Sequence, residues 1–304
     1  MAVIPAAAFA LALIAQDPQG PSTPDPEAAT RLADVIVSHR ELDERAESFV
    51  EEVAAPPNRR GLARWAGRVC VGAVNVGPNI AQPVIDRVSR LALDLNLRVG
   101  EPGCTPNIII IFTDDASGLA KTMVERDRYA FHWGVGGLDR GKSALQAFQD
   151  SDAAVRWWHV SIPVVGGTGQ RAIRFPGDTG PIYVPGEGLV NRGRPLSDIL
   201  NKVFIVLDVD QLGGVNLAQL SDYIALVAMA QIDPDGETAA YDTVLNLFDD
   251  PQGVTGLSDW DAVYLQALYD AMWERVNPGG QADAIARLVR RAEREPVAQP
   301  PAAQ

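Results

Sequence analysis

The residues best placed by spacing to do chemistry are Gly136-Gly137-Leu138-Asp139-Arg140-Gly141-Lys142-Ser143, which fit the phosphate-loop pattern GxxxxGK[ST]. In such a loop backbone N–H groups cradle phosphates, while Lys142 and Ser143 would meet the β/γ-phosphates and Mg²⁺. Phe204-Ile205-Val206-Leu207-Asp208 could supply the matching acidic strand. The context opposes this reading. A phosphate loop follows a buried strand, whereas Arg128-Tyr129-Ala130-Phe131-His132-Trp133 alternates polar and aromatic residues, and the next helix runs out by Asp150. A turn and helix cap with Lys142 in solvent accounts for the same residues. A P-loop NTPase built on Gly136, Gly141, Lys142 and Ser143 is therefore the alternative function, together with a metal-independent hydrolase.

Arg156-Trp157-Trp158-His159 is the densest cluster of side chains that bind ligands well. On a strand, Arg156 and Trp158 face one side and Trp157 and His159 the other. Adjacent tryptophans on an edge strand suit a peptide or glycan surface. The competing reading puts one Trp in the core and one at the rim. No GxSxG elbow is present, and His159 has neither a carboxylate nor a nucleophile at a motif spacing. Asp208, Asp210, Asp233, Asp235 and Glu237 offer oxygen ligands at short spacing but complete no calcium loop, so they read as a solvated acidic face. No cofactor and no metal is expected.

Charge narrows the partners. There are 26 Lys+Arg against 39 Asp+Glu, a formal net charge of −13, which repels phosphate backbones and argues against nucleic acid. Between Val203 and Glu274 lie 13 acidic residues and no Lys, Arg or His, so the rest of the chain is balanced. The two cysteines, Cys70 and Cys104, are in no metal-ligand spacing. They read either as a bridge closing a loop of about 35 residues and contributing roughly 3–4 kcal/mol, or as two buried free thiols.

Several elements must position these residues. Residues 1–15 hold a short apolar run, Val3 to Ala15, that reads as a signal peptide and implies export to the periplasm or beyond. No stretch is expected to span a membrane. Residues 16–58 combine a Pro-rich linker with an amphipathic helix over 26–54. Its seam of Leu32, Val35, His39, Leu42, Ala46, Phe49 and Val53 could pack on the protein's own core or form a homodimer. Strands are expected over Val69–Val76, Ile108–Phe112 and Val203–Val209. A helix should open at Pro83, another should run from about Ala116 to Arg126, and a hairpin should turn at Gly166-Gly167-Thr168-Gly169. A Gly/Pro-rich loop follows from Pro176 to Pro195. Asn216 and Ser258 cap two more helices, the first apolar all round and running to about Ile232. An amphipathic helix and a Pro/Ala/Gln tail, residues 278–304, close the chain.

From Val203 to Ala271, the order strand, buried helix, acidic loop, then Gly256-Leu257-Ser258-Asp259-Trp260-Asp261 and Leu265-Gln266-Ala267-Leu268-Tyr269, resembles the end of a matrixin-like zincin metalloprotease. The resemblance implies an α+β fold over residues 59–277, with a mixed sheet and a central buried helix. It also implies an HExxH motif on that helix, where two His hold Zn²⁺ and the Glu is the general base. The matching positions are Asp222-Tyr223-Ile224-Ala225-Leu226, and no histidine follows His159. Asp222 could ligate a metal, but Leu226 cannot, and Tyr223 cannot replace the base. The expectation is a degenerate, non-catalytic zincin-like domain that binds a peptide, protein or cell-envelope polymer.

Overall fold

The computed structural model describes residues 44–54, 61–131, 140–166, 168–173, 182–190, 196–271 and 278–294. The chain divides into two units, 1–41 and 42–304, and every described residue belongs to the second. The apolar run 3–15, the seam positions Leu32 to Leu42 with His39, and Gly136 lie outside the described residues.

Runs of β-branched and aromatic residues form the strands: β1 (Val71–Val74), β2 (Ile108–Thr113), β3 (Val155–Val165), β4 (Ile182–Val184), β5 (Gly188–Val190) and β6 (Leu196–Asp208). Four make one mixed sheet in the order β1-β2-β6-β3. β1, β2 and β6 are parallel, with Ile108 opposite Val203 and Thr113 opposite Asp208, while β3 runs antiparallel at the edge. Side-chain alternation separates two cores. Ile108, Ile110, Phe112, Val203, Ile205 and Leu207 face one, and Ile111, Phe204, Val206 and Trp158 face the other.

Helices cover both faces. Residues 44–53 (α1), α2 (Pro78–Asp94), α6 (Leu217–Met229), α7 (Asp259–Asp270) and α8 (Pro278–Arg294) contribute to the larger core. The smaller one is closed by α3 (Ala116–Arg126), α4 (Arg128–Phe131) and α5 (Lys142–Asp150). The fold is thus α+β, with a mixed sheet and a central helix, α6, buried from Gln219 to Met229 except at Asp222. Asn216 caps α6 and Ser258 caps α7 through reciprocal capping boxes. Among the described residues no helix is long and apolar enough to cross a membrane.

Several boundaries differ from the sequence expectation. α2 begins at Pro78, where a missing N–H costs nothing in the first turn, and Pro83 lies inside it. β1 is shorter than Val69–Val76, and α6 stops at Met229 rather than Ile232. β6 extends back to Leu196, because β3 pairs with it along its whole length. The hairpin turning at Gly166–Gly169 is reduced to an antiparallel bridge between Val164 and Arg171. The stretch 176–195 contains the β4–β5 hairpin. The expected limits at 58 and 278 do not bound the core: Phe49 and Val53 before them, and Ile285 and Val289 after, share one cluster. The described part of the seam, Ala46, Phe49 and Val53, packs inward on that cluster.

Candidate functional site at the free edge of strand β3

The last carbonyls of any helix lack intrahelical donors, and those of α6 are buried, so they need partners from elsewhere. Ring groups supply them. His159 Nε2 is 2.8 Å from the Val227 carbonyl, and Trp65 Nε1 donates to Ala228 O at 2.8 Å. The Tyr269 hydroxyl donates to Met229 O at 2.8 Å, and just beyond the helix Trp157 Nε1 donates to Ile232 O at 2.9 Å. A carbonyl can only accept, so His159 carries its proton on Nε2. Its Nδ1 is left with no partner among the described residues. Burial pushes the His159 pKa down to about 4; the Val227 hydrogen bond opposes the shift and the nearby Arg140 charge reinforces it. The imidazole is therefore neutral at pH 7.

On the opposite face Trp158 Nε1 donates to Phe131 O at 2.9 Å and its ring meets Phe148. Arg156 Nη1 donates to Ser117 Oγ at 2.9 Å. The alternation expected from the sequence holds, with Trp157 and His159 towards α6 and Arg156 and Trp158 towards α3–α5. All four residues, backbone included, are buried, between 3% and 8% exposed. Both tryptophan N–H groups are already used inside the protein.

What remains unbonded is part of the strand's backbone. The Val203 N–H donates across to Asn107 on the β2 side, and the Asp208 N–H donates to Ala154 O on the β3 side. From Val203 to Asp208, odd residues of β6 therefore bond towards β2 and even ones towards β3. Val155, Trp157 and His159, opposite Leu207, Ile205 and Val203, then aim their N–H and C=O groups away from the sheet. None of these groups is bonded to another described residue. Further along, Ala172 N–H and Gln170 O cover the edge at Pro163 and Val165. The open stretch is 155–159.

A pocket of about 150 Å³ lies along this stretch. Trp157, His159, Tyr223 and Ile232 line it from the α6 side, and Arg156, Ala144, Ala147 and Phe148 from the α5 side. That volume is below the 300–1,000 Å³ usual for small-molecule sites and suits single side chains of an extended segment. At its rim Arg140 and Asp233, from the two faces of the sheet, form an ion pair at 2.8 Å.

The positions aligned with a zinc motif have other duties. Asp222 pairs with Arg87 of α2 and accepts the Leu257 N–H at 2.9 Å, fastening α6 to α2 and to the turn before α7. Tyr223 packs edge-on against Trp157 and Phe248, and burial raises its pKa far above the ordinary value. Leu226 is wholly buried. Among the described residues no three of His, Cys, Asp and Glu come together as a metal site. Asp208 spends its oxygens on Asp210 N–H and Gln211 Nε2, and Asp233 accepts both Asp235 N–H and Arg140 on Oδ1.

The phosphate-loop residues are not gathered into a site by the described structure. Gly141, at φ +93°, caps α5, Lys142 and Ser143 are exposed, and the helical turn α4 precedes them, with residues 132–139 outside the description. The contacts that Trp65, Tyr269, Arg140 and Asp233 make here leave no local pattern, because their partners are 40 to 163 residues distant. Cys70 and Cys104 form a disulfide with Cα atoms 6.2 Å apart, joining the start of β1 to the turn before β2. Compared with protein-family models, curated proteins and solved structures, the chain matches none.

Proposed function

We propose that this is an exported, zincin-like protein without zinc catalysis, which holds an extended peptide or protein segment as an added strand on the edge of β3. The observation that carries the reading is the row of unbonded backbone groups at Val155, Trp157 and His159, lying along the pocket. An edge of this kind binds by main-chain hydrogen bonds, with alternate side chains entering pockets on the two faces. A backbone of amides complements it better than a sugar polymer does, because donors and acceptors recur at the strand repeat. Support for a non-catalytic role comes from α6, where Asp222 and Leu226 are committed to packing and fastening. The disulfide fits an oxidising compartment.

The test is selection from a displayed library of random nonapeptides, followed by N-methylation of each backbone position of the best binder. Loss of binding at every second position, by about tenfold or more per methyl, is expected for a strand that donates alternately to β3. Binding indifferent to N-methylation at all positions would show recognition through side chains alone and would end the proposal.

A further inference from the structure

Arg156 is the anomaly of the molecule. Its side chain is buried, the residue being 3% exposed, yet no carboxylate stands within ion-pair distance among the described residues. Its one hydrogen bond runs from Nη1 to Ser117 Oγ, which itself donates to Ser151 O. Nε is buried without a partner, and Nη2 has none among the described residues. Nε–H and Nη2–H form one side of the guanidinium fork, the pair of parallel donors that fits a carboxylate. Burying a charge with that side empty is costly, and native proteins seldom leave it so.

The nearby acids do not fill it. Asp208, Asp152 and Asp115 help to keep Arg156 charged against the effect of burial. Asp208 is engaged with Asp210 and Gln211, and Asp115 caps α3 through the Gly118 N–H. In the rest of the pocket Arg140 is paired with Asp233, and the remaining acid is Asp235. Arg156 belongs to the part of the pocket between β3 and α5, where Ala144, Ala147 and Ala153 leave room.

Resting on the edge-docking reading, we infer that this half of the pocket is a carboxylate receptor, in which the open fork of Arg156 takes the carboxylate of the docked segment. Two sources share that chemistry, an Asp or Glu side chain and a chain-terminal carboxylate. In the selected nonapeptide, replacing Glu or Asp by its amide and amidating the C-terminus are measured separately. One of the two is expected to weaken binding by about tenfold or more, the range for a charge-assisted pair. The change that matters identifies the source. If neither weakens binding, the carboxylate inference is overturned while the edge reading stands.

An arm independent of any peptide uses propionate and propionamide, followed through the Arg156 Nε–H resonance. Propionate is expected to move that resonance saturably and propionamide to leave it in place; equal response to both, or to neither, overturns the inference. Because Arg156→Lys removes the fork from a buried site and puts folding itself at risk, Ala147→Phe serves as the second variant. Ala147 is exposed on α5, and the larger ring fills the pocket without entering the core. It is expected to abolish the propionate response with the thermal midpoint unchanged. A response that persists in Ala147→Phe places propionate elsewhere and overturns the inference.

Discussion

His159 shows what one side chain does in this fold. Its neutral imidazole is a donor to the end of a buried helix, and its folded-state pKa of about 4 lies below the ordinary 6.5. The unfolded chain therefore binds the extra proton more readily between those values. Stability is complete above pH 6.5, declines as the pH falls towards 4, and declines no further on this account below that. The loss is about 3 kcal/mol if the full shift is realised. Comparing thermal midpoints at pH 7 and pH 4.5 for the wild type and His159→Gln checks this, since glutamine keeps a donor but does not titrate. A wild-type drop larger than that of His159→Gln is expected; equal drops would assign the acid sensitivity to other groups. The facing of Arg156, Trp157, Trp158 and His159 was legible in sequence, because a strand alternates with period two. The use of His159 and Trp157 as partners for the end of α6 and the segment after it was not, since Val227 and Ile232 lie 68 and 75 residues beyond their donors.

At the scale of elements, α6 is held by local and distant devices, and only the local ones could be read beforehand. The caps at Asn216 and Ser258 are four-residue patterns; both are present as expected, and the one at Ser258 is also a reciprocal capping box. Asn216→Ala is expected to cost about 1 kcal/mol, read as a lower denaturant midpoint with unchanged slope. Asp222 illustrates the other kind. The sequence placed it at a ligand position of a zinc motif, and the structure shows it tying α6 to Arg87 and Leu257. Asp222→Ala is expected to cost about 1–3 kcal/mol, because the Leu257 N–H and the half-buried Arg87 both lose their partner. Gly256, at φ +150°, lies against the same carboxylate, where an added Cβ would collide. Gly256→Ala should therefore destabilise through the same contact, and combined with Asp222→Ala the two costs should fall short of additive. A strictly additive pair would show that the turn and the carboxylate act separately. The length of β6 is set by pairing with β3, which leaves no local trace, whereas α2 carries prolines at both Pro78 and Pro83 and the sequence does not say which of them opens the helix.

For the whole molecule, the charge distribution and the disulfide were open to reading, whereas the extent of the core was not. Helices at both ends of the described chain enter one cluster through Phe49, Val53, Ile285 and Val289, although their sequences look like appendages. Reduction of Cys70–Cys104 releases a loop with a separation of 34 residues and is expected to lower stability by about 3–4 kcal/mol, measurable by chemical denaturation with and without reductant. The acidic stretch from Val203 to Glu274 contains α6 and α7, so much of the negative charge borders elements that are themselves apolar. The proposed function depends instead on the edge of β3, where the backbone groups of Val155, Trp157 and His159 have no partner among the described residues. Residue-resolved amide exchange tests that most directly. In the free protein Val155, Trp157 and His159 should exchange much faster than Arg156 and Trp158, and the selected nonapeptide should protect those three. Uniform protection in the free protein, or a bound nonapeptide that leaves the three amides as fast as before, would contradict a docking edge on β3.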